Sequence, residues 1–101
     1  MVRYRPDIPP HVAEVIRHMP PDIRRGIKAA LRAISGDPSL GEPLLRDLEG
    51  LWKYRVKRFR IVYAVDRSRR VLRVLAVGHR RGVYDEVATL RRRSGPRNRS
   101  P

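Results

Sequence analysis

The spacing of apolar positions changes period along this chain of 101 residues, and the changes mark its elements. Val2-Arg3-Tyr4-Arg5 alternates apolar with basic, which predicts a short strand. Asp7 is placed to cap the first helix, and Pro9 and Pro10 suit only a first helical turn. Val12, Val15, Ile16 and Met19 then fall on one face of a short helix that Pro20 and Pro21 end. Ile23, Ile27, Ala30, Leu31 and Ile34 give a second, longer amphipathic helix, stopped by Ser35-Gly36-Asp37-Pro38. Residues 37–50 read as a connector punctuated by Pro38, Gly41, Pro43 and Gly50, with a possible helical turn around Leu44 to Leu48.

From Trp52 the period falls to two. Trp52, Tyr54 and Val56 point one way, and Lys53, Arg55 and Lys57 the other. Lys57-Arg58 is the expected hairpin turn. Phe59, Ile61, Tyr63 and Val65 share a face on the next strand, with Arg60, Val62 and Ala64 opposite. Asp66 to Arg70 reads as a polar loop. Val71 to Val77 is nearly all apolar, the pattern of a strand covered on most of both faces. His79, Arg80 and Arg81 are expected just past its end, where a sheet commonly presents functional side chains. Val83, Val87 and Leu90 predict a short closing helix. Residues 91–101 have no apolar position and read as a disordered basic tail. The expected fold is therefore α+β. A short N-terminal strand and a two-helix hairpin pack on a small, mainly antiparallel sheet, followed by a short C-terminal helix. A domain over residues 1–90 and a tail over 91–101 complete it.

Charge gives this pattern a direction. The net charge is +14, and residues 1–50 carry only +1 of it against +13 for residues 51–101. Almost every polar position on the three strands is basic, so like charges repel across one face. That arrangement is expected of a surface aimed at a polyanion, with nucleic acid first. Without cysteine the chain has no disulfide, thiolate metal site or thiol nucleophile. His11, His18 and His79 are too scattered to suggest a metal, and no cofactor motif occurs. No apolar run approaches a membrane span and the first residues do not form a signal peptide, so a soluble, cytoplasmic protein is expected.

Lys53, Arg55, Arg60, His79, Arg80 and Tyr84 are the residues to weigh as a site. Metal-free cleavage of a phosphodiester needs a cation on the phosphate, a base for the ribose 2'-hydroxyl and an acid for the leaving 5'-oxygen. Arginine suits the first role and is a poor base because it stays protonated. A lysine among arginines is a physical route to a base, and Tyr84 can stack on a nucleobase or donate through its hydroxyl. Each has a plainer rival: solvated charge for Lys53 and Arg55, an ion pair to Asp47 or Glu49 for Arg60, phosphate binding alone for Arg80. For Tyr84 it is packing at the edge of the core, and for His79 a strand-end hydrogen bond.

The run LRDLEGLWKYRVKRFRIVYAVD followed by VLAVGHRRGVY resembles the RelE/ParE superfamily of toxins from toxin–antitoxin pairs. The resemblance is dense over residues 44–87 and rests on pattern alone before that. It implies a toxin neutralised by a cognate, RelB-like antitoxin with an acidic binding segment. In the RelE branch it also implies a ribosome-dependent endoribonuclease that cuts mRNA in the ribosomal A site. The resemblance assigns Lys53 as base, Arg60 to the phosphate, Arg80 as acid or leaving-group stabiliser, and Tyr84 to stack on the mRNA base. Arg55, Lys57, Arg58, His79 and Arg81 are implied as RNA and phosphate contacts. Arg55 stands where that branch can have lysine, which leaves Lys53 as the lysine of the first hairpin strand. Two other readings stand beside it: a ParE-like gyrase inhibitor with no nuclease activity, and a non-catalytic nucleic-acid-binding module.

Overall fold

The computed structural model describes residues 3–99 and is α+β, as the residue pattern predicts. In chain order come β1 (Arg5–Asp7), α1 (Pro10–Arg17), α2 (Pro21–Gly36), β2 (Glu42–Pro43), β3 (Trp52–Val56), β4 (Phe59–Asp66), β5 (Val71–His79) and α3 (Arg80–Arg99). Short 3-10 turns at Pro38–Leu40 and Arg46–Leu48 flank β2. The five strands lie in the order β1-β5-β4-β3-β2, antiparallel except for the parallel pair of β1 with β5.

Both hairpin helices begin with proline in the first turn, where the missing N–H has no partner to lose. Val12 and Ile16 of α1 and Ile27, Ala30, Leu31 and Ile34 of α2 are buried against one sheet face. That face supplies Ile61, Tyr63, Leu72, Val74 and Val77, with Trp52, Tyr54, Val56 and Phe59 around it. Each Val or Leu side chain removed from water there contributes about 1.5–3 kcal/mol.

The opposite face departs from expectation. It is not an open cationic surface, because α3 lays Val83 and Val87 over Val62 and Ala76, with Leu51 completing a second small core. Val71 to Val77 is apolar for this reason: helices cover both of its sides. A register shift between Val62 and Tyr63 lets Val62 pair with Ala76 and Tyr63 with Val74, so Leu75 is the extra residue of a bulge. The bulge moves Val77 back to the face that holds Leu72 and Val74.

Several boundaries also move. The first strand is at Arg5–Asp7 and leaves out Arg3 and Tyr4, because β1 exists only where it can pair with Val71 to Arg73; Val2 of the expected strand lies outside the described residues. Asp7 makes no helix cap; Pro9 holds that position and the Asp7 carboxylate lies 3.7 Å from Arg73. His79 is the last residue of β5, paired with Phe59, and α3 starts at the next position. That helix continues past Leu90 to Arg99, over most of the stretch 91–101 read as a tail, whose last two residues lie outside the described residues; arginine is a good helix former even without an apolar face. The hairpin turn is at Lys57-Arg58 as expected, with Lys57 in left-handed backbone at φ 55°.

Candidate functional site

One row of the sheet joins Arg55, Arg60 and Gly78, and the next joins Glu42, Lys53, Val62 and Ala76. These rows lie on the α3 side. Where α3 stops covering the sheet, they open into a cleft of about 470 Å³ lined by Leu40, Gly41, Glu42, Lys53, Tyr54, Arg55 and Arg60. Arg55 and Arg60 sit directly opposite each other, a like-charge pair that destabilises a sheet. Each is steadied by a backbone carbonyl: Arg55 Nε donates to Lys57 O at 3.2 Å, and Arg60 Nη1 to Phe59 O at 3.4 Å. Among the described residues Arg60 meets no carboxylate, so the ion pair to Asp47 or Glu49 does not form.

Lys53 joins the parts of the site. Its side chain is one-third exposed, with Nζ 3.5 Å from Glu42 Oε1 and 6.0 Å from the centre of the Tyr84 ring. Tyr84 belongs to the second core and is half-buried, and its hydroxyl is buried with no hydrogen-bond partner among the described residues. Ring and lysine therefore meet at the boundary between α3 and the open cleft.

The wall opposite is held by Tyr63. Its hydroxyl donates to Pro38 O at 2.6 Å and pins the turn that leads into Gly41 and Glu42. The Tyr63 phenol is pushed up to about 12, chiefly because it is buried. Gly41 permits this approach: a Cβ there would overlap the Tyr63 hydroxyl and the Lys53 carbonyl.

Lys53, Arg55 and Arg60 thus come together, with Tyr84 beside Lys53, and Lys57, Arg58 and His79 do not join them. Lys57 turns away at the hairpin, toward the α2 side, where Nζ lies 3.9 Å from Asp22. His79 is exposed on the opposite sheet face, its ring 4.6 Å from that of Phe59. Arg58 is exposed at the hairpin tip. Arg80 and Arg81 open α3, next to the strand that carries Gly78, but their side chains lie outside what the structure describes. Glu42 is the residue that the sequence pattern does not reveal. It lies in a connector, and only its pairing with Lys53 across β2 and β3 brings it to the cleft. Three cations, one carboxylate and an aromatic ring around an open hollow suit an anionic ligand with a planar group, as a nucleotide has.

The fold finds its counterparts among toxins. The family model of the ParE toxin of the type II toxin–antitoxin system ParDE matches residues 3–84, and the chain belongs to that family, within the RelE/ParE superfamily. It is a toxin of the type II toxin–antitoxin class. Among solved structures, it is similar to the RelBE2 toxin–antitoxin complex from Mycobacterium tuberculosis, with 27% identity and a TM-score of 0.72, over 79% of this chain and 94% of that one. A mutant of the Escherichia coli toxin RelE in the free state has the same fold, with 20% identity and a TM-score of 0.72, over 90% of this chain and 98% of that one. The archaeal RelE–RelB complex from Pyrococcus horikoshii matches over 79% and 98%, with 20% identity and a TM-score of 0.65. Among curated protein sequences none matches.

Proposed function

We propose that this toxin is a ribosome-dependent endoribonuclease that cleaves mRNA in the A site without a metal. The observation that carries the reading is the meeting of Lys53, Arg55 and Arg60 around one open cleft, with the Tyr84 ring 6.0 Å from Lys53 Nζ. In this mechanism Arg60 holds the scissile phosphate and stabilises the charge that builds on its oxygens. Lys53 takes the proton of the ribose 2'-hydroxyl, whose oxygen attacks the phosphorus and forms a cyclic 2',3'-phosphate. As the bond from phosphorus to the 5'-oxygen breaks, Arg80 at the start of α3 stabilises the departing oxygen, which takes a proton from water, and Tyr84 stacks on the adjoining base. Arg55 adds charge to the phosphate path, and Arg58 and Arg81 extend it. Lys57 and His79, which face elsewhere, are assigned no step.

A cognate antitoxin is the partner of this reading, supported by the RelB complexes among the similar structures. The +13 charge of the second half favours an acidic binding segment. Action on ribosomes places the protein in the cytoplasm. No helix among the described residues is long and apolar enough to cross a membrane.

Primer extension on an mRNA tests the activity, with and without programmed ribosomes, for the native chain, Lys53→Ala and Arg60→Ala. Cuts that need ribosomes and fall at least ~100-fold in both variants, the scale of a lost acid–base group, are the expected result. No cuts in either condition would remove the nuclease reading. The matching family model is that of the ParE toxin, which favours gyrase inhibition as the second reading. A supercoiling assay with purified gyrase measures it. Binding of nucleic acid without cleavage and without gyrase inhibition would leave the third, a non-catalytic module.

A further inference from the structure

A second group of cations lies at the far end of the sheet. Arg67, Arg69 and Arg70 form the turn between β4 and β5, Arg5 lies beside them on β1, and Arg73 follows on β5. All five are exposed. Register fixes their geometry. Arg5 is opposite Val71, Asp7 opposite Arg73, and Arg73 opposite Ala64, which packs into the second core. Arg5 and Arg73 therefore share the sheet face of Lys53, Arg55 and Arg60, with α3 lying between the two groups. From Arg55 to Arg5 is three strand spacings across and six residues along, roughly 25 Å in all.

Two carboxylates accompany these five arginines, and both are engaged, one in the turn and one with Arg73. Asp66 accepts from the Arg69 N–H at 3.1 Å and from the Ser68 hydroxyl at 2.9 Å, so it builds the turn. Asp7 stands 3.7 Å from Arg73. Arg70 supplies an independent sign. Its backbone is left-handed at φ 59°, and its carbonyl accepts from the Arg5 N–H at 2.9 Å. Glycine or asparagine adopts that backbone with little or no strain, whereas arginine does not. The turn thus carries a cation where the backbone favours glycine, and its acid faces inward to the loop.

We infer that Arg5, Arg67, Arg69, Arg70 and Arg73 form a docking surface for the phosphate backbone of folded RNA, separate from the cleft and on the same sheet face. Forked guanidiniums on a convex turn suit successive phosphates and read no base. The choice of RNA over DNA rests on the nuclease reading; the grip on a phosphodiester backbone does not.

The test measures fluorescence anisotropy of a labelled RNA hairpin duplex, with a DNA duplex of the same sequence as the second arm. Ribosomes are left out. Native protein is compared with Arg67→Ser/Arg69→Ser, with Arg70→Gly, and with a charge-matched control, Arg25→Ser/Lys28→Ser, at exposed positions of α2. The turn variant is expected to weaken RNA binding at least tenfold and the control less than twofold. The slope of log affinity against log salt is expected to fall by about one to two, in line with one or two lost phosphate contacts. Arg70→Gly is expected to bind more weakly yet melt no lower than the native chain, which separates lost charge from lost fold. Equal losses in the turn variant and the control, or a loss seen with DNA alone, would overturn the inference. Because binding is read without cleavage, an inactive cleft would sink the nuclease reading and leave the backbone grip standing.

Discussion

Lys53 Nζ lies 3.5 Å from Glu42 Oε1, the two residues facing each other across the β2–β3 pair. An acid beside the central lysine works against an anionic ligand, since its negative charge repels phosphate from the cleft. Glu42 is three-quarters exposed, so the pair is worth little to the fold. Glu42→Gln is therefore expected to leave the melting temperature unchanged. It should tighten RNA binding about two- to fivefold, the range of a surface pair of up to ~1 kcal/mol. Titration of labelled RNA checks this, and weaker binding in the variant would show that Glu42 helps to hold the ligand.

Tyr84 separates its two proposed roles by substitution. Its hydroxyl is buried without a partner among the described residues, so Tyr84→Phe is expected to be neutral or stabilising by up to ~1 kcal/mol. If the ring acts by stacking, Tyr84→Phe keeps its cleavage rate and Tyr84→Ala loses at least tenfold. Single-turnover cleavage and urea unfolding, measured on the same preparations, check both halves. A phenylalanine variant that folds and does not cut would assign the role to the hydroxyl.

Alkaline pH should act through Tyr63. An unfolded tyrosine loses its proton near pH 10, and in the folded chain burial pushes that value up to about 12. The stability this phenol contributes is complete below pH 10 and is lost as pH rises through 12. Tyr63→Phe should abolish that part of the loss, so the native-minus-variant difference shrinks over that interval. Near neutral pH the variant is expected to be less stable by about 1–2 kcal/mol, because the Pro38 carbonyl loses its donor. Urea unfolding across the pH series measures both effects.

Gly41 is expected to tolerate no side chain. A methyl group there meets the Tyr63 hydroxyl and the Lys53 carbonyl, and backbone cannot step aside as a flexible side chain can. Gly41→Ala should cost about 1–3 kcal/mol, the range for overpacking. It should also lower activity more than Tyr63→Phe does, because β2 and Glu42 must shift with it. Thermal melts beside the ribosome assay test this, and an unchanged melting temperature would show that the turn is looser than its contacts imply.

Alternation from Trp52 to Val65 made β3 and β4 legible, and with them the rows that hold Lys53, Arg55 and Arg60. Period-two reasoning failed where a turn or bulge resets the period. Lys57 leaves the face of Arg55 because it lies in left-handed backbone, and Leu75 is an extra residue that no pattern of apolar positions reveals. β2 was hidden because two residues, Glu42 and Pro43, have no rhythm of their own and become a strand only by pairing with Trp52 and Lys53. The same pairing brings in Glu42. The cover of α3 over Val62 and Ala76 was implicit in the apolar run of β5, which needs two covered sides.

The parallel pair has a consequence for how the protein is made. Arg5 and Val71 are neighbours across β1 and β5 although 66 positions separate them in the chain. Synthesis runs from the N-terminus, so β1 emerges first and waits through most of translation for its partner. α1 and α2 wait as well, since the face they cover takes Leu72, Val74 and Val77 from β5. The β3–β4 hairpin can close locally, but pairings of long sequence separation form late because the intervening chain must first be ordered. A polypeptide released before residue 71 carries every residue that lines the cleft, but it lacks β5, and α1 and α2 have no Leu72, Val74 or Val77 to cover. The site is thus written into the chain before the strand that fixes its support, and the working fold forms only once β5 has emerged.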